Sequence, residues 1–196
     1  MQLALFDFDH TITHTDTYSG FLRRVATPAQ RSSAWRTLGP WLAAYRMGLV
    51  SAPSIRARVT HKVFGGRHLD EITAQGQPYA NAVLPSLERP EMMQRIDWHQ
   101  SQGHTVAVVS ASLDLYLQPW CQARGLEWIC NRLEHHDGLL TGRYADEDCG
   151  PHKARLIQAR YDLHGFERIH AYGDSREDRP MLALAHERWF CGKRIP

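Results

Sequence analysis

The sequence has no long apolar run and no closely paired cysteines. No uninterrupted apolar stretch approaches the roughly 18 residues of a membrane span. The four cysteines are scattered without a C-x-x-C pair, which argues against a zinc ribbon and favours reduced thiols in a cytoplasmic protein. No basic region precedes the first apolar residues, so we do not expect a cleavable signal peptide. The 196 residues are enough for one core domain with an insertion.

Acidic residues are absent from residues 17–69. This segment has eight arginines and Lys62, hence nine positive charges, so in a chain of net charge +2 the remainder carries −7. Such an asymmetry predicts a separate module with an anionic partner. Within it, residues 35–50 are aromatic and apolar but include Arg36 and Arg46, and we expect a break at Gly39-Pro40. That stretch fits either burial in a helix bundle or peripheral contact with an anionic membrane surface.

The most informative stretch is residues 3–9. A short apolar run ends in two carboxylates, Asp7 and Asp9, which predicts a buried strand with charge at its carboxyl end, where α/β sheets bind ligands. If the backbone stayed extended through Phe8, both aspartates would point into one cavity and Phe8 would pack behind them. Carboxylates this close favour a cation between them. A strand end with a simple turn cap is the alternative that this motif alone leaves open.

A second acidic loop repeats the arrangement. A strand is predicted over residues 168–172, and it is followed by Gly173-Asp174. A helix is predicted after this loop, since Pro180 suits its first turn. We expect the final strand, residues 188–191, to close the core sheet. Two strand ends that carry aspartates predict a cation site.

Two further residues are candidates for binding a phosphoryl group. Ser110 ends the β-branched strand of residues 106–109, where its hydroxyl can reach a ligand, although capping the next helix is an alternative role. Lys153 stands at a predicted helix start, where the helix dipole disfavours a cation, so a nearby anion is expected. The chain has 20 Arg but only three Lys, which makes an ordinary surface lysine the weaker interpretation.

In this order the motifs resemble those of phosphatases of the haloacid dehalogenase superfamily, in the phosphoserine-phosphatase-like subfamily IB. The matching positions are Asp7, Asp9, Ser110, Lys153, Asp174 and Asp178. The resemblance implies an α/β fold with a Rossmann-like, three-layer core around a parallel sheet. It implies that residues 1–13 and 85–196 form the catalytic core, and that residues 14–84 form an all-helical cap inserted after the first strand.

The resemblance also implies a Mg²⁺-dependent phosphomonoester hydrolase. Asp7 would attack phosphorus and form an aspartyl-phosphate, and Asp9 would act as general acid and base. Mg²⁺ would be held by Asp7, Asp174 and the backbone carbonyl of Asp9. Ser110 and Lys153 would bind the phosphate, and Asp178 would orient Lys153 or a metal-bound water.

Three residues are candidates for substrate selection: His10, Asp16 and Arg56. His10 stands where the family more often has Gly or Ser. Asp16 matches an acidic residue that reads the substrate amine in phosphoserine phosphatases, although it is equally suited to cap a helix. The substrate therefore stays open between a phosphoserine-like metabolite and an anionic lipid phosphate. Oligomeric state is open as well.

Other interpretations explain less of the sequence. A receiver-type regulatory domain also combines a phosphate-accepting Asp, Mg²⁺, a hydroxyl and a Lys, but it needs neither Asp9 nor a helical insert. A nucleic-acid-binding module would use the basic segment but leaves the motifs unexplained, so no nucleic acid is expected. His135-His136 lie on a predicted hairpin that turns at Asp137-Gly138, where adjacent side chains face opposite sides and chelate a metal poorly.

Overall fold

A computed structural model describes the backbone of residues 1–196 and every side chain except those of residues 31, 32 and 34–36. The strands are β1 (Gln2–Phe6), β2 (Thr105–Leu113), β3 (Glu127–Asn131), β4 (Leu133–His136), β5 (Leu139–Tyr144), β6 (Arg168–Gly173), β7 (Glu187–Phe190) and β8 (Lys193–Ile195). The α-helices are α1 (Thr17–Val25), α2 (Pro28–Arg46), α3 (Ala52–Phe64), α4 (Leu69–Ala82), α5 (Pro90–Ser101), α6 (Asp114–Gln122), α7 (Cys149–Arg160) and α8 (Arg179–Ala183).

The main sheet has six strands in the order β3-β2-β1-β6-β7-β8, parallel except for β8. Strand β1 lies near its centre, with Leu5 paired to Ala107 of β2 and to Ala171 of β6. Alternate residues of β1 enter two separate cores, Phe6 on one face and Leu5 on the other. Both faces are therefore covered, as an uninterrupted apolar strand requires. The predicted three-layer α/β class is confirmed.

The carboxyl-terminal strands differ from the prediction. The chain turns after β7 through Cys191 and Gly192, which both have positive φ (50° and 74°), and β8 then pairs antiparallel on the outside of β7. Two successive residues with positive φ form the tight connection that suits a twisted hairpin. The expectation that residues 188–191 close the sheet was wrong, because an exposed three-residue strand carries little apolar signal.

Helices α1–α4 form an insert between β1 and α5, and the β4–β5 hairpin packs on it. The hairpin turns at Asp137-Gly138, as predicted, and Leu139 forms a bridge with His68. Gly142 has φ of 78°, and a Cβ there would lie 2.8 Å from the Cα of His61 in α3. Only glycine allows this approach. The hairpin lies within residues 85–196, the predicted catalytic core, and it contacts the helical insert.

The predicted break at Gly39-Pro40 was wrong. Helix α2 continues through Pro40, at the cost of the main-chain hydrogen bond that a proline cannot donate. Its start is fixed by Thr27, whose hydroxyl accepts from the backbone N–H of Gln30 while the Gln30 side chain accepts from the backbone N–H of Thr27. Trp35 and Arg36, part of the predicted membrane-contact segment, lie outside the described side chains.

Among the described residues, no helix combines the length and apolar character needed to cross a membrane.

Candidate active site

The sequence-predicted residues converge at the carboxyl ends of β1, β2 and β6. Asp7 follows β1 directly, and its backbone N–H donates to the carbonyl of Tyr172 in β6 at 2.9 Å. Phe6, the last residue of β1, is paired with Val108 and Tyr172, so Ser110 and Asp174, each two residues further along, lie at the same edge. Residues from all three strand ends line one cavity, among them Asp7, Ser110 and Asp174. This is the edge at which parallel α/β sheets bind ligands.

Asp7 and Lys153 form the buried centre of the site. The Nζ of Lys153 donates to Oδ1 of Asp7 at 2.5 Å and to Oδ1 of Asp178 at 2.6 Å, and the three side chains are at most 9% exposed. Burial raises the pKa of Asp7 to about 8, against the opposing attraction of Lys153. Burial lowers the pKa of Lys153, but Asp7 and Asp178 outweigh it and raise the pKa overall, so the ammonium is retained.

Asp178 holds the acidic loop in place. Its Oδ2 accepts hydrogen bonds from the backbone N–H groups of Asp174 (3.1 Å) and Ser175 (2.8 Å) and from the Ser175 hydroxyl (2.8 Å). A Cβ at Gly173 would lie 2.5 Å from the Cβ of Asp178, so the loop requires glycine there. Although burial opposes it, Lys153 lowers the pKa of Asp178 and keeps it ionised. Asp178 therefore joins the lysine to the loop that carries Asp174.

A carboxylate oxygen from each of Asp7, Asp174 and Asp178 lies within 4.8 Å of the other two. All three donors are oxygens and two of the residues are buried. Burial raises the pKa of Asp174, with Asp178 adding to the effect. Carboxylates this close raise one another's pKa, and a bound cation would offset their repulsion. Their oxygens are the ligands that a hard cation prefers.

The backbone does not stay extended past Asp7, contrary to expectation. Residues Phe8–Ile12 form a tight, kinked turn in which Asp9 has extended dihedral angles and His10 has φ of 61°. Asp9 nevertheless lines the same cavity as Asp7, and Phe8 packs behind them with its ring 5.0 Å from that of Trp120. The turn, rather than strand alternation, brings the two aspartates to one side.

The Asp9 carboxylate is held by three donors. Oδ1 accepts from the backbone N–H (2.7 Å) and the hydroxyl (2.5 Å) of Thr17, and Oδ2 accepts from the Ser112 hydroxyl (2.8 Å). Burial raises the pKa of Asp9 to about 6, with a further contribution from Asp16. The contact between Thr17 and Asp9 was not predicted from the sequence. The only indication of it is that Thr17 carries a hydroxyl and lies at the start of the first insert helix.

Ser110 is buried, and its hydroxyl oxygen accepts from the backbone N–H of Ser112 at 3.1 Å. Ser110 does not end its strand as predicted, because β2 continues to Leu113 after a shift in its pairing with β3, and Leu113 rather than Ser110 precedes α6. Ser110 lies on the cavity wall, where its hydroxyl hydrogen can donate towards the cavity.

The three candidate selectivity residues all line this cavity but differ in their partners. Asp16 caps α1, since its carboxylate accepts from the Ser19 backbone N–H (2.9 Å) and hydroxyl (2.5 Å). Arg56 of α3 pairs with Asp148 (2.9 Å) and Glu177 (3.0 Å), which lie on the core side. His10 is exposed. Neither of the Arg56 partners was anticipated from the sequence.

The cavity has a volume of about 890 Å³ between the insert and the carboxyl edge of the sheet. The insert contributes a group of apolar and aromatic residues to its far wall: Leu22, Leu42, Tyr45, Ile55 and Val59. The site thus combines a charged floor with an apolar patch on the opposite wall.

The chain is similar to several known proteins. CicA of Caulobacter vibrioides strain NA1000 is 29% identical over 191 residues, which cover 96% of this chain and 85% of CicA. A protein of unknown function from Bordetella pertussis Tohama I has a similar structure, with a TM-score of 0.80 at 22% identity over 95% of this chain and 88% of that chain. A phosphoserine phosphatase solved with bound substrate gives a TM-score of 0.70 at 19% identity, over 97% of this chain and 86% of that one.

The similarity to these solved structures confirms the fold. The family is shown by a match to a family model. The model of the haloacid dehalogenase-like hydrolases matches residues 4–183, a range that contains the aspartates, serine and lysine of the site. The chain therefore belongs to the haloacid dehalogenase-like hydrolase family.

Proposed function

We propose that this protein is a Mg²⁺-dependent phosphomonoester hydrolase that forms an aspartyl-phosphate on Asp7. The observation that carries the proposal is the buried Asp7 carboxylate, held 2.5 Å from the Lys153 ammonium on the floor of a large cavity. A carboxylate nucleophile needs nearby positive charge to approach an anionic ester, and Lys153 supplies it. The phosphoserine phosphatase among the structural neighbours supports the same reaction class.

Asp7 and Asp174, together with the predicted backbone carbonyl of Asp9, would hold Mg²⁺. Their fit rests on the carboxylate oxygens gathered within 4.8 Å, the hard donors that Mg²⁺ prefers. When bound, the ion neutralises charge on the phosphoryl oxygens and on the attacking carboxylate. Asp178 belongs to the same cluster, but its oxygens are engaged by Lys153 and the acidic loop. Its role is to position Lys153.

Each remaining residue has a task that follows from its contacts. Asp9, held by Thr17 and Ser112, protonates the leaving alkoxide and then takes a proton from the water that hydrolyses the aspartyl-phosphate. Ser110 and Lys153 bind equatorial phosphoryl oxygens and stabilise their charge as phosphorus transfers.

The contacts favour a substrate whose organic part is larger and less polar than serine. Asp16 is engaged by its own helix, and Arg56 is neutralised by two carboxylates, so neither is free to bind a zwitterionic amino acid. The organic part would instead meet the apolar wall contributed by α1–α3. Burying it there adds about 25 cal/mol for each Å² of apolar surface removed from water.

The cavity wall continues to an exposed apolar surface. Tyr45 lines the cavity and is exposed, while Met47 and Leu49, just beyond α2, are 67% and 74% exposed. Arg46 lies beside them in the sequence. We further propose that the protein is cytoplasmic and that its α2–α3 connection contacts anionic membranes. A phosphorylated amphiphile would then enter the site from the membrane.

Substrate preference tests the catalytic part of the proposal. Phosphate release would be measured from p-nitrophenyl phosphate, octyl phosphate and phosphoserine, with Mg²⁺, with EDTA, and after Mg²⁺ is restored. We expect Mg²⁺-dependent turnover, with kcat/KM highest for the two apolar esters. Preference for phosphoserine would overturn the apolar substrate class, and turnover that persists in EDTA would overturn the metal requirement.

Vesicle sedimentation tests the membrane contact. We expect binding to anionic but not neutral vesicles, weakened by salt and by the paired substitution of Met47 and Leu49 with Gln. Ile195→Gln, at an exposed apolar residue on β8, is the matched control. No anionic-specific binding at low salt would remove the membrane from the proposal and leave the catalytic part intact.

A further inference from the structure

A cluster of three histidines lies on the side of the sheet covered by α5, away from the catalytic edge. His99 of α5 is fully buried, His170 of β6 is 6% exposed, and His104, which precedes β2, is half-buried. Each offers one ring nitrogen, and these three nitrogens lie within 4.8 Å of one another. His170 is paired with Ala4, three residues before Asp7 on β1, which places the cluster about 10 Å from the nucleophile along the strand.

The local fold brings the rings together. Helix α5 ends in a turn at Gly103, which has φ of 70°, and the backbone N–H of His104 donates to the carbonyl of His99 at 3.1 Å. This turn places Nδ1 of His104 2.8 Å from Nδ1 of His99. Two imidazole nitrogens at that distance share one proton, so one of them presents a lone pair.

His170 supplies the observation that points to a ligand. Its Nε2 is 2.8 Å from Oε1 of Gln2, an acceptor, so Nε2 carries the proton and donates. Nδ1 then has a lone pair, and this buried atom has no hydrogen-bond partner in the described structure. A buried acceptor without a partner is costly. A ring nitrogen fixed as an acceptor by a hydrogen bond at the opposite nitrogen is how metal-binding histidines are prepared.

His99 can adopt the same tautomer, although its Nδ1 already has a partner. Its Nε2 lies 2.9 Å from the hydroxyl of Tyr172 and can donate to it, which leaves Nδ1 with the lone pair that accepts from Nδ1 of His104. Burial lowers the pKa of His99 to about 3 and that of His170 to about 4, so both rings are neutral and able to ligate. Arg95, which also lowers both pKa values, is held over the rings of Trp98 and Trp189 at 5.5 and 5.7 Å.

We propose that His99, His104 and His170 form a binding site for a transition-metal dication, with Zn²⁺ favoured. Three imidazole nitrogens suit Zn²⁺ and exclude Mg²⁺, which prefers oxygen. A tetrahedral site with Zn–N bonds of about 2.1 Å needs nitrogens roughly 3.4 Å apart, so binding widens the 2.8 Å separation of the His99 and His104 Nδ1 atoms by about 0.6 Å and sets the His170 nitrogen at a similar distance from both. His104 moves its Nδ1 proton to Nε2, which leaves the proton count unchanged. Solvent supplies the fourth ligand through the half-exposed side of His104.

Metal binding, measured independently of catalysis, tests this site. Zn²⁺ is titrated into folded protein against a chromophoric chelator, with excess Mg²⁺ present to occupy the carboxylate site, and Co²⁺ absorption reports nitrogen-ligated tetrahedral geometry. We expect one Zn²⁺ per chain in the wild type. His104→Gln and His170→Gln are each expected to weaken binding by roughly tenfold or more.

His136→Gln is the matched control, because His136 is exposed on β4 and lies outside the cluster. His104→Gln is the safer variant for folding, since this ring is the least buried of the three, and circular dichroism checks both variants. Failure of the folded wild type to bind Zn²⁺ stoichiometrically would overturn the site. So would a loss below tenfold in either cluster variant, or a loss in His136→Gln equal to theirs.

Discussion

Lys153 shows how one side chain can serve two carboxylates. It contacts Asp7, which we propose as the nucleophile, and Asp178, which fixes the acidic loop. Its ammonium therefore links the reacting group to the loop that carries Asp174. Hydrogen bonds of 2.5 to 3.1 Å thus join all four residues.

Asp7→Asn is expected to abolish phosphate release while leaving the fold intact. The amide keeps the shape of the carboxylate but removes the attacking charge and one charge from the carboxylate cluster. Turnover of p-nitrophenyl phosphate with Mg²⁺ is the measurement, and urea unfolding confirms folding. Wild-type turnover by the folded variant would refute the assignment of Asp7 as nucleophile.

Asp9→Asn is expected to slow hydrolysis of an alkyl phosphate by roughly 10²- to 10⁴-fold, because this leaving group needs a proton. The variant should fold, since Ser112 can accept from the new amide in place of donating. The loss on p-nitrophenyl phosphate should be distinctly smaller. Equal losses on the two esters would argue against Asp9 as the general acid.

At the scale of elements, the insert meets the core through tightly fitted contacts. Helix α4 crosses α6 at Gly76, where a Cβ would lie 2.0 Å from the backbone carbonyl of Leu115. Arg56 of α3 pairs with Asp148 and Glu177 across the cavity. The backbone-to-backbone contact at Gly76 cannot be relieved by a rotamer change, so it fixes where α4 packs.

Gly76→Ala is expected to destabilise the protein by about 1–3 kcal/mol, the usual effect of overpacking, despite the roughly 1 kcal/mol that alanine gains in helix propensity. Thr73→Ala, at an exposed position of the same helix, is the matched control and should be neutral or stabilising. Urea unfolding measures both. A Gly76→Ala protein as stable as wild type would show that α4 can move away from α6 at little cost.

At the scale of the whole molecule, the features that could be predicted from the sequence are those that depend on a local residue pattern. The apolar runs that end in Asp7 and Ser110, and the glycine before Asp174, carry their own signals, and the family match covers all three. The sequence did not predict contacts between distant positions, such as those of Arg56 with partners 92 and 121 residues away. The kinked turn after Asp7 was missed for the same reason, because tertiary packing selects it over a continued strand.

Acid should destabilise the molecule through its buried histidines. In the unfolded chain, histidines titrate near a pKa of about 6.5, whereas burial holds the pKa of His99 at about 3 and that of His170 at about 4. Between these values the unfolded state binds more protons, so the free energy of unfolding falls as pH falls from about 6.5 towards 4. The raised pKa of Asp7 acts in the opposite direction.

Comparing variants isolates the histidine contribution. With EDTA present, His170→Gln should lower the slope of unfolding free energy against pH by up to about 1.4 kcal/mol per pH unit. The Asp7 contribution cancels in this comparison. Urea unfolding between pH 7 and pH 5 gives the slopes. Identical slopes for His170→Gln and wild type would contradict the neutral buried state of His170.

The central position of β1 has a consequence for biosynthesis. Its neighbours in the sheet begin only at Thr105 and Arg168, so the ribosome releases the catalytic strand long before either partner exists. At about 5–20 residues per second, β6 follows on the order of ten seconds later. During that interval the nascent chain exposes an apolar strand with two unpaired edges, which is a target for chaperones and for aggregation. No fragment that stops before β6 can complete the cavity floor, so the enzyme gains its proposed activity only after β6 and the acidic loop that follows it have been synthesised.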